Sequence, residues 1–81
     1  MAGGWFNCTV SLAGPAEDGE IYVALTDTAG GFGESWFRAV SNMRKEILAT
    51  ALSAIAGRGA VLVALEDTTE YSVIDRFYII K

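Results

Sequence analysis

Two runs of strict apolar and polar alternation near the start of the chain restrict its fold more than any other feature. From Trp5 to Leu12, Phe6, Cys8, Val10 and Leu12 fall on one face and Trp5, Asn7, Thr9 and Ser11 on the other. From Glu20 to Thr26, Ile21, Val23 and Leu25 oppose Tyr22, Ala24 and Thr26. A period of two places one face of an extended chain in a core and the other against solvent, whereas a helix over the same residues would scatter the apolar groups around its axis. Between the runs, Ala13-Gly14-Pro15-Ala16-Glu17-Asp18-Gly19 holds the only proline and an acidic tip. This is turn chemistry, and the two strands are expected to form a hairpin.

The pattern then breaks at Asp27-Thr28-Ala29-Gly30-Gly31-Phe32-Gly33, whose three glycines suit a mobile connection. Glu34 to Ala39, with Trp36-Phe37, suits a short third strand. The period changes next. Met43, Ile47, Ala51 and Ile55 recur every four residues, and Leu48 and Leu52 widen the stripe, which predicts a helix from Asn42 to Ala56. Ser41 or Asn42 is the expected N-cap and Gly57 the expected left-handed stop, with Arg58 near the negative end of the helix dipole. Ala60 to Leu65 is apolar on both faces, as for a strand covered by the helix on one side and by a neighbouring element or subunit on the other. After the polar loop Glu66-Asp67-Thr68-Thr69-Glu70, Tyr71 to Lys81 reads as the last strand. The order β-β-β-α-β-β predicts an α+β, mainly β protein: one domain over residues 1–81, built as a five-stranded OB-like barrel with one helix between strands 3 and 4.

A chain of 81 residues buries only about 60 to 65% of its unfolded surface. Cys8 is the single cysteine, so no internal disulfide can staple the domain, and self-association is the expected remedy. Flanked by Asn7 and Thr9, with no cation to lower its pKa, Cys8 reads as a small core residue. Six Lys and Arg against ten Asp and Glu give a net charge of −4, with no basic stretch longer than Arg44-Lys45. Nucleic acid is therefore a disfavoured partner, since phosphate contact needs clustered cations.

The chain has no histidine, which removes the usual catalytic base and the commonest zinc ligand. The adjacent acidic pairs Glu17-Asp18 and Glu66-Asp67 lie in polar loops, where carboxylates face water rather than each other across a cleft. Asp27, Glu66, Asp67 and Glu70 offer oxygen ligands but form no EF-hand loop. Gly30-Gly31-Phe32-Gly33 is not followed by the Lys and Ser/Thr of a phosphate-binding loop. The expectation is a non-enzymatic protein without catalytic residues, metal or cofactor. The longest apolar run, Ala60 to Leu65, is too short to span a membrane. Met1-Ala2-Gly3-Gly4-Trp5 has neither the charged nor the apolar region of an export signal.

The second half of the chain carries a resemblance. Lys45-Glu46-Ile47-Leu48-Ala49-Thr50-Ala51-Leu52-Ser53-Ala54-Ile55 as helix, Gly57-Arg58-Gly59 as exit turn, Val61-Leu62-Val63 as strand and Ile74 to Ile80 as closing strand together resemble, from Arg44 to Ile80, the B subunits of pentameric bacterial AB toxins. The resemblance implies a homopentameric ring with the helices lining a central pore, an outer surface that binds cell-surface glycans, an A-type partner subunit, and secretion. A cytoplasmic location is the expectation if the chain as given is the native one. No ligand-contacting motif of that family is matched, so no binding residue is carried over.

Candidate ligand contacts come from side-chain chemistry. Trp5, Tyr22, Trp36 and Tyr71 are large rings able to stack on the apolar face of a sugar, or to pack in a core or interface. Sugar hydroxyls also need carboxylates, amides and hydroxyl groups, which Asn7, Thr9, Ser11, Asp18, Asp27 and Thr28 can provide near the same sheet edge. Trp5, Tyr22, Trp36, Asp18 and Asp27 are thus the expected carbohydrate-binding residues of a homo-oligomer. Two other readings stand beside this one: a phage or cytoplasmic assembly subunit with no small ligand, and a single-stranded nucleic-acid binder.

Overall fold

A computed structural model of the chain describes residues 3–80. Met1 and Ala2, part of the segment read for an export signal, and Lys81, the expected end of the last strand, lie outside that range. The elements are β1 (Gly4–Pro15), β2 (Ile21–Asp27), β3 (Ser35–Ala39), a 3-10 turn (Ser41–Met43), α1 (Arg44–Gly57), β4 (Ala60–Leu65) and β5 (Val73–Ile80). The strands close into a barrel in the order β1-β2-β3-β5-β4. β1 is long enough to pair antiparallel with β4 through Gly4 to Thr9 and with β2 through Cys8 to Pro15. The seam is a short parallel pairing, Arg38 with Val73 and Ala39 with Ile74. This is the five-stranded, OB-like barrel with its helix between the third and fourth strands that the order of periodic segments predicts.

Inward-facing residues of every strand form the core. Val23 and Leu25 of β2, Phe37 of β3, Val61 and Val63 of β4 and Ile74 of β5 are fully buried, and Cys8 joins them from β1. Burial, reinforced by the nearby Asp27 charge, pushes the Cys8 thiol up to about 12, so it stays protonated at neutral pH. The helix covers the barrel with Ile47, Ala51 and Ala54.

The helix and its ends depart from expectation in three ways. Leu52 is half-exposed while Ala54 is buried, because the contact face follows residues 47, 51 and 54 rather than a strict four-residue step. At the start, neither Ser41 nor Asn42 caps the helix; both lie in the 3-10 turn, and no side chain bonds to the helix N-terminus. At the end, Gly57 is the last helical residue and Arg58 takes the left-handed conformation, with φ 55° and ψ 33°. The Gly59 N–H then donates to the Ala54 carbonyl at 3.0 Å, closing a Schellman turn.

A further correction concerns β1. Val10 pairs with Leu25 and Leu12 with Ala24, so Ser11 is an extra residue and the strand carries a β-bulge there. One inserted residue inverts the alternation beyond it. Leu12, expected beside Phe6, Cys8 and Val10 in the interior, lies outside at 52% exposure, and Ala13 packs against the core instead. In the last strand, Tyr71 and Ser72 belong to the preceding loop.

Candidate ligand-binding site

The inverted end of β1 builds one wall of an open groove across the outer faces of β2 and β3. Two rows of side chains cross these strands in register: Leu12, Ala24 and Trp36 in one, and Gly14, Tyr22 and Arg38 in the next. Ala24, fully buried although it points outward, fills the space between Leu12 and Trp36. Gly14 has no side chain to block access to Tyr22. The end of β1 supplies Pro15 and the turn after it Glu17 and Asp18, and the loop at residues 66–72 brings Tyr71. The resulting concavity has a volume of about 640 Å³. It occupies the side of the barrel, strands 2 and 3 with the flanking 1–2 and 4–5 loops, on which barrels of this topology bind oligosaccharides and oligonucleotides.

The rings are fixed by local bonding. Tyr22 and Tyr71 meet edge to face, with centroids 5.8 Å apart and planes at 84°. Tyr71 has φ +67°, a left-handed conformation that a bulky side chain rarely adopts and that costs about 1 to 3 kcal/mol. The Tyr71 N–H donates to the Trp36 carbonyl at 2.6 Å, and the Ser72 N–H donates to the Thr69 carbonyl at 3.2 Å, which hold the loop in this shape. The Arg38 N–H donates to the Ser72 carbonyl at 3.0 Å and continues the attachment to β3.

Asp18 is held as firmly. Its Oδ1 accepts from the Glu20 N–H at 3.0 Å and its Oδ2 from the Tyr22 hydroxyl at 3.1 Å. The Glu20 N–H, aided by the Tyr22 hydroxyl, keeps the carboxyl below its ordinary pKa, while the same bond to Asp18 pushes the Tyr22 phenol up. Asp18 is therefore an ionised acceptor at neutral pH. Arg38, beside Tyr22 in the register, has its guanidinium 3.9 Å from Glu20, which also binds Arg44 at 3.0 Å. No Lys or Arg is among the described residues lining the groove.

Of the five residues expected to contact a ligand, the fold brings together Tyr22, Trp36 and Asp18. Trp5 lies elsewhere, on the outer face of β1, β4 and β5, stacked near-parallel with Tyr78 at 6.1 Å and with Arg76 5.9 Å from its ring. Asp27 is buried at the end of β2, where Oδ1 accepts from the Ala29 N–H at 3.0 Å and Oδ2 from the Gly31 N–H at 2.9 Å. A side chain at residue 31 would collide with that carboxylate. Phe32, the next residue, packs on Phe6 and Phe37. The glycines of this loop thus shape a turn around Asp27.

Leu12 and Pro15 were not foreseen as groove residues. The glycine and proline after β1 signal a turn, but nothing in the alternation signals the bulge. Among the described residues no cluster of three metal-type ligands exists, and no helix is long and apolar enough to cross a membrane. Comparison of the chain with protein-family models, with curated proteins and with solved structures finds no match.

Proposed function

We propose that this protein is a non-enzymatic carbohydrate-binding barrel that uses the groove over β2 and β3 and acts as a homo-oligomer. The observation that carries the reading is the convergence of Tyr22, Trp36 and Tyr71 with the fixed acceptor Asp18 in one open groove. A sugar presents an apolar face to rings and hydroxyl donors to a carboxylate, and the groove offers both. The strained placement of Tyr71 supports the same reading, since conformational cost is often held where a side chain must be presented to a ligand. A phosphate backbone would instead meet Glu17 and Asp18, with no Lys or Arg among the described residues lining the groove and Arg38 beside it drawn on by Glu20 and Asp18.

Single-site affinity should be weak, about millimolar, because water hydrogen bonds are exchanged for protein ones with little net gain. A ring of subunits, the pentamer of the toxin-like reading, would raise it about a hundredfold or more through avidity on a glycan-bearing surface, with an A-type subunit as its further partner. The test is a glycan array with the wild-type protein and Trp36→Ala, alongside a single-stranded DNA assay at increasing salt. Glycan signal lost in Trp36→Ala with fold and assembly retained supports the proposal. DNA binding that weakens steeply with salt, without glycan signal, would replace it.

A second reading is an assembly subunit. Trp5, Tyr78 and Ile80 leave an exposed aromatic and aliphatic surface on β1 and β5. Light scattering that gives a multiple of 8.6 kDa, with silence on both ligand assays, would favour it.

A further inference from the structure

The groove carries information about the charge of its ligand. We infer that it selects sugars bearing a protonated amino group, as in glucosamine oligomers, over neutral N-acetylated sugars and over acidic, sialylated ones. The inference rests on the carbohydrate reading of the groove and narrows its substrate class.

Ring geometry comes first. Tyr22 and Tyr71 stand nearly perpendicular, at 84° and 5.8 Å, and Trp36 lines the same concavity. Rings meeting at a right angle cannot form one continuous stacking platform for a flat apolar face. Tyr22, Trp36 and Tyr71 nevertheless line one concavity, and an ammonium group placed on an open ring face there is attracted through the ring quadrupole. Charge points the same way. Asp18 is ionised and anchored on the rim by the Glu20 N–H and the Tyr22 hydroxyl, with Glu17 beside it. Of the neighbouring cations, Arg44 is bonded to Glu20 at 3.0 Å, while Arg38, 3.9 Å from Glu20, shares its charge between Glu20 and Asp18. A carboxylated sugar would therefore meet the Glu17 and Asp18 charges at the rim, with no guanidinium among the described residues lining the groove. The Tyr22 hydroxyl donates its proton to Asp18 and offers its lone pairs to an incoming N–H.

The expected gain is modest because the groove is open: about five- to tenfold tighter binding of the amino form, the size of an exposed cation–π contact with an exposed ion pair added. The experiment is NMR titration of the wild-type protein with chitosan tetramer, chitin tetramer, sialyllactose and tetramethylammonium at low salt and about pH 5.5, where glucosamine amino groups are protonated and Asp18 is ionised. Chitosan should bind several-fold more tightly than chitin and should shift Tyr22, Trp36 and Tyr71 resonances. Asp18→Asn should weaken both tetramers but chitosan the more, bringing the two close together, and Tyr22→Phe should retain part of the preference. Equal binding of the two tetramers, or tighter binding of sialyllactose, would overturn the inference and leave the carbohydrate reading standing. Tetramethylammonium bound as tightly as chitosan would overturn the assignment to a sugar. No binding of any saccharide would remove the carbohydrate reading and the inference together.

Discussion

At the residue scale, the groove depends on one carboxylate whose two oxygens have separate tasks. Asp18 orders the hairpin turn through the Glu20 N–H and orients the Tyr22 ring through its hydroxyl. Because its pKa is lower folded than unfolded, its contribution to the hairpin is present above the unfolded carboxyl range and is lost as pH falls through the folded value. Following carboxyl carbon shifts against pH should show Asp18 titrating below the ordinary aspartate range. Tyr22→Phe should move it upward while leaving it depressed, since the Glu20 N–H has the larger influence. Coincidence of Asp18 with unperturbed carboxylates in the wild type would show that the turn is not held this way. Sequence chemistry suggested Asp18, Tyr22 and Trp36 as candidate contacts. It did not separate them from Trp5 and Asp27, because pattern gives a residue's face but not which strands become neighbours.

At the scale of elements, the helix ends in a way that costs stability. Arg58 occupies a left-handed conformation that disfavours any residue with a Cβ by about 1 to 2 kcal/mol, and glycine stands on both sides of it. Arg58→Gly should therefore raise the free energy of unfolding by on the order of 1 kcal/mol, after allowance for the greater unfolded-state freedom of glycine, seen as a higher denaturation midpoint with no change in the denaturant slope. A lower midpoint would mean that the arginine charge near the helix C-terminus outweighs the backbone cost. The sequence places a glycine stop here one residue early. Adjacent glycines make the exit turn legible, but only the hydrogen bond from Gly59 to Ala54 fixes which residue turns left-handed.

At the scale of the whole molecule, the apolar strand β4 divides its residues between two surfaces. Val61, Val63 and Leu65 face the barrel interior, while Leu62 and Ala64 are only half-buried on the outside. An apolar run on both faces is compatible with an interface, and the structure assigns Val63 to the interior. Val63→Asp should consequently unfold the subunit, because a carboxylate without a partner in that core costs several kcal/mol against a total stability of about 5 to 15. Leu62→Asp should leave the fold intact. Circular dichroism with light scattering separates the outcomes: loss of structure in Val63→Asp, against a folded Leu62→Asp whose mass falls if the outer face joins subunits. A folded Val63→Asp would contradict its burial.

The sequence alone determined the barrel class, since period-two segments on either side of a single helical one admit few closed arrangements and short connections restrict them further. It also determined the interior of β2, where Ile21, Val23 and Leu25 are buried as the alternation requires, whereas the burial of outward-facing Ala24 between Leu12 and Trp36 came from the neighbouring strands. The tertiary structure decided where the groove lies and what lines it. Ser11 inserts one residue into β1 and turns Leu12 outward, and the seam between β3 and β5 anchors the loop that carries Tyr71 beside Tyr22. Both depend on register between strands distant in the chain, and register is set by the closure of the barrel rather than by the local alternation of any one strand.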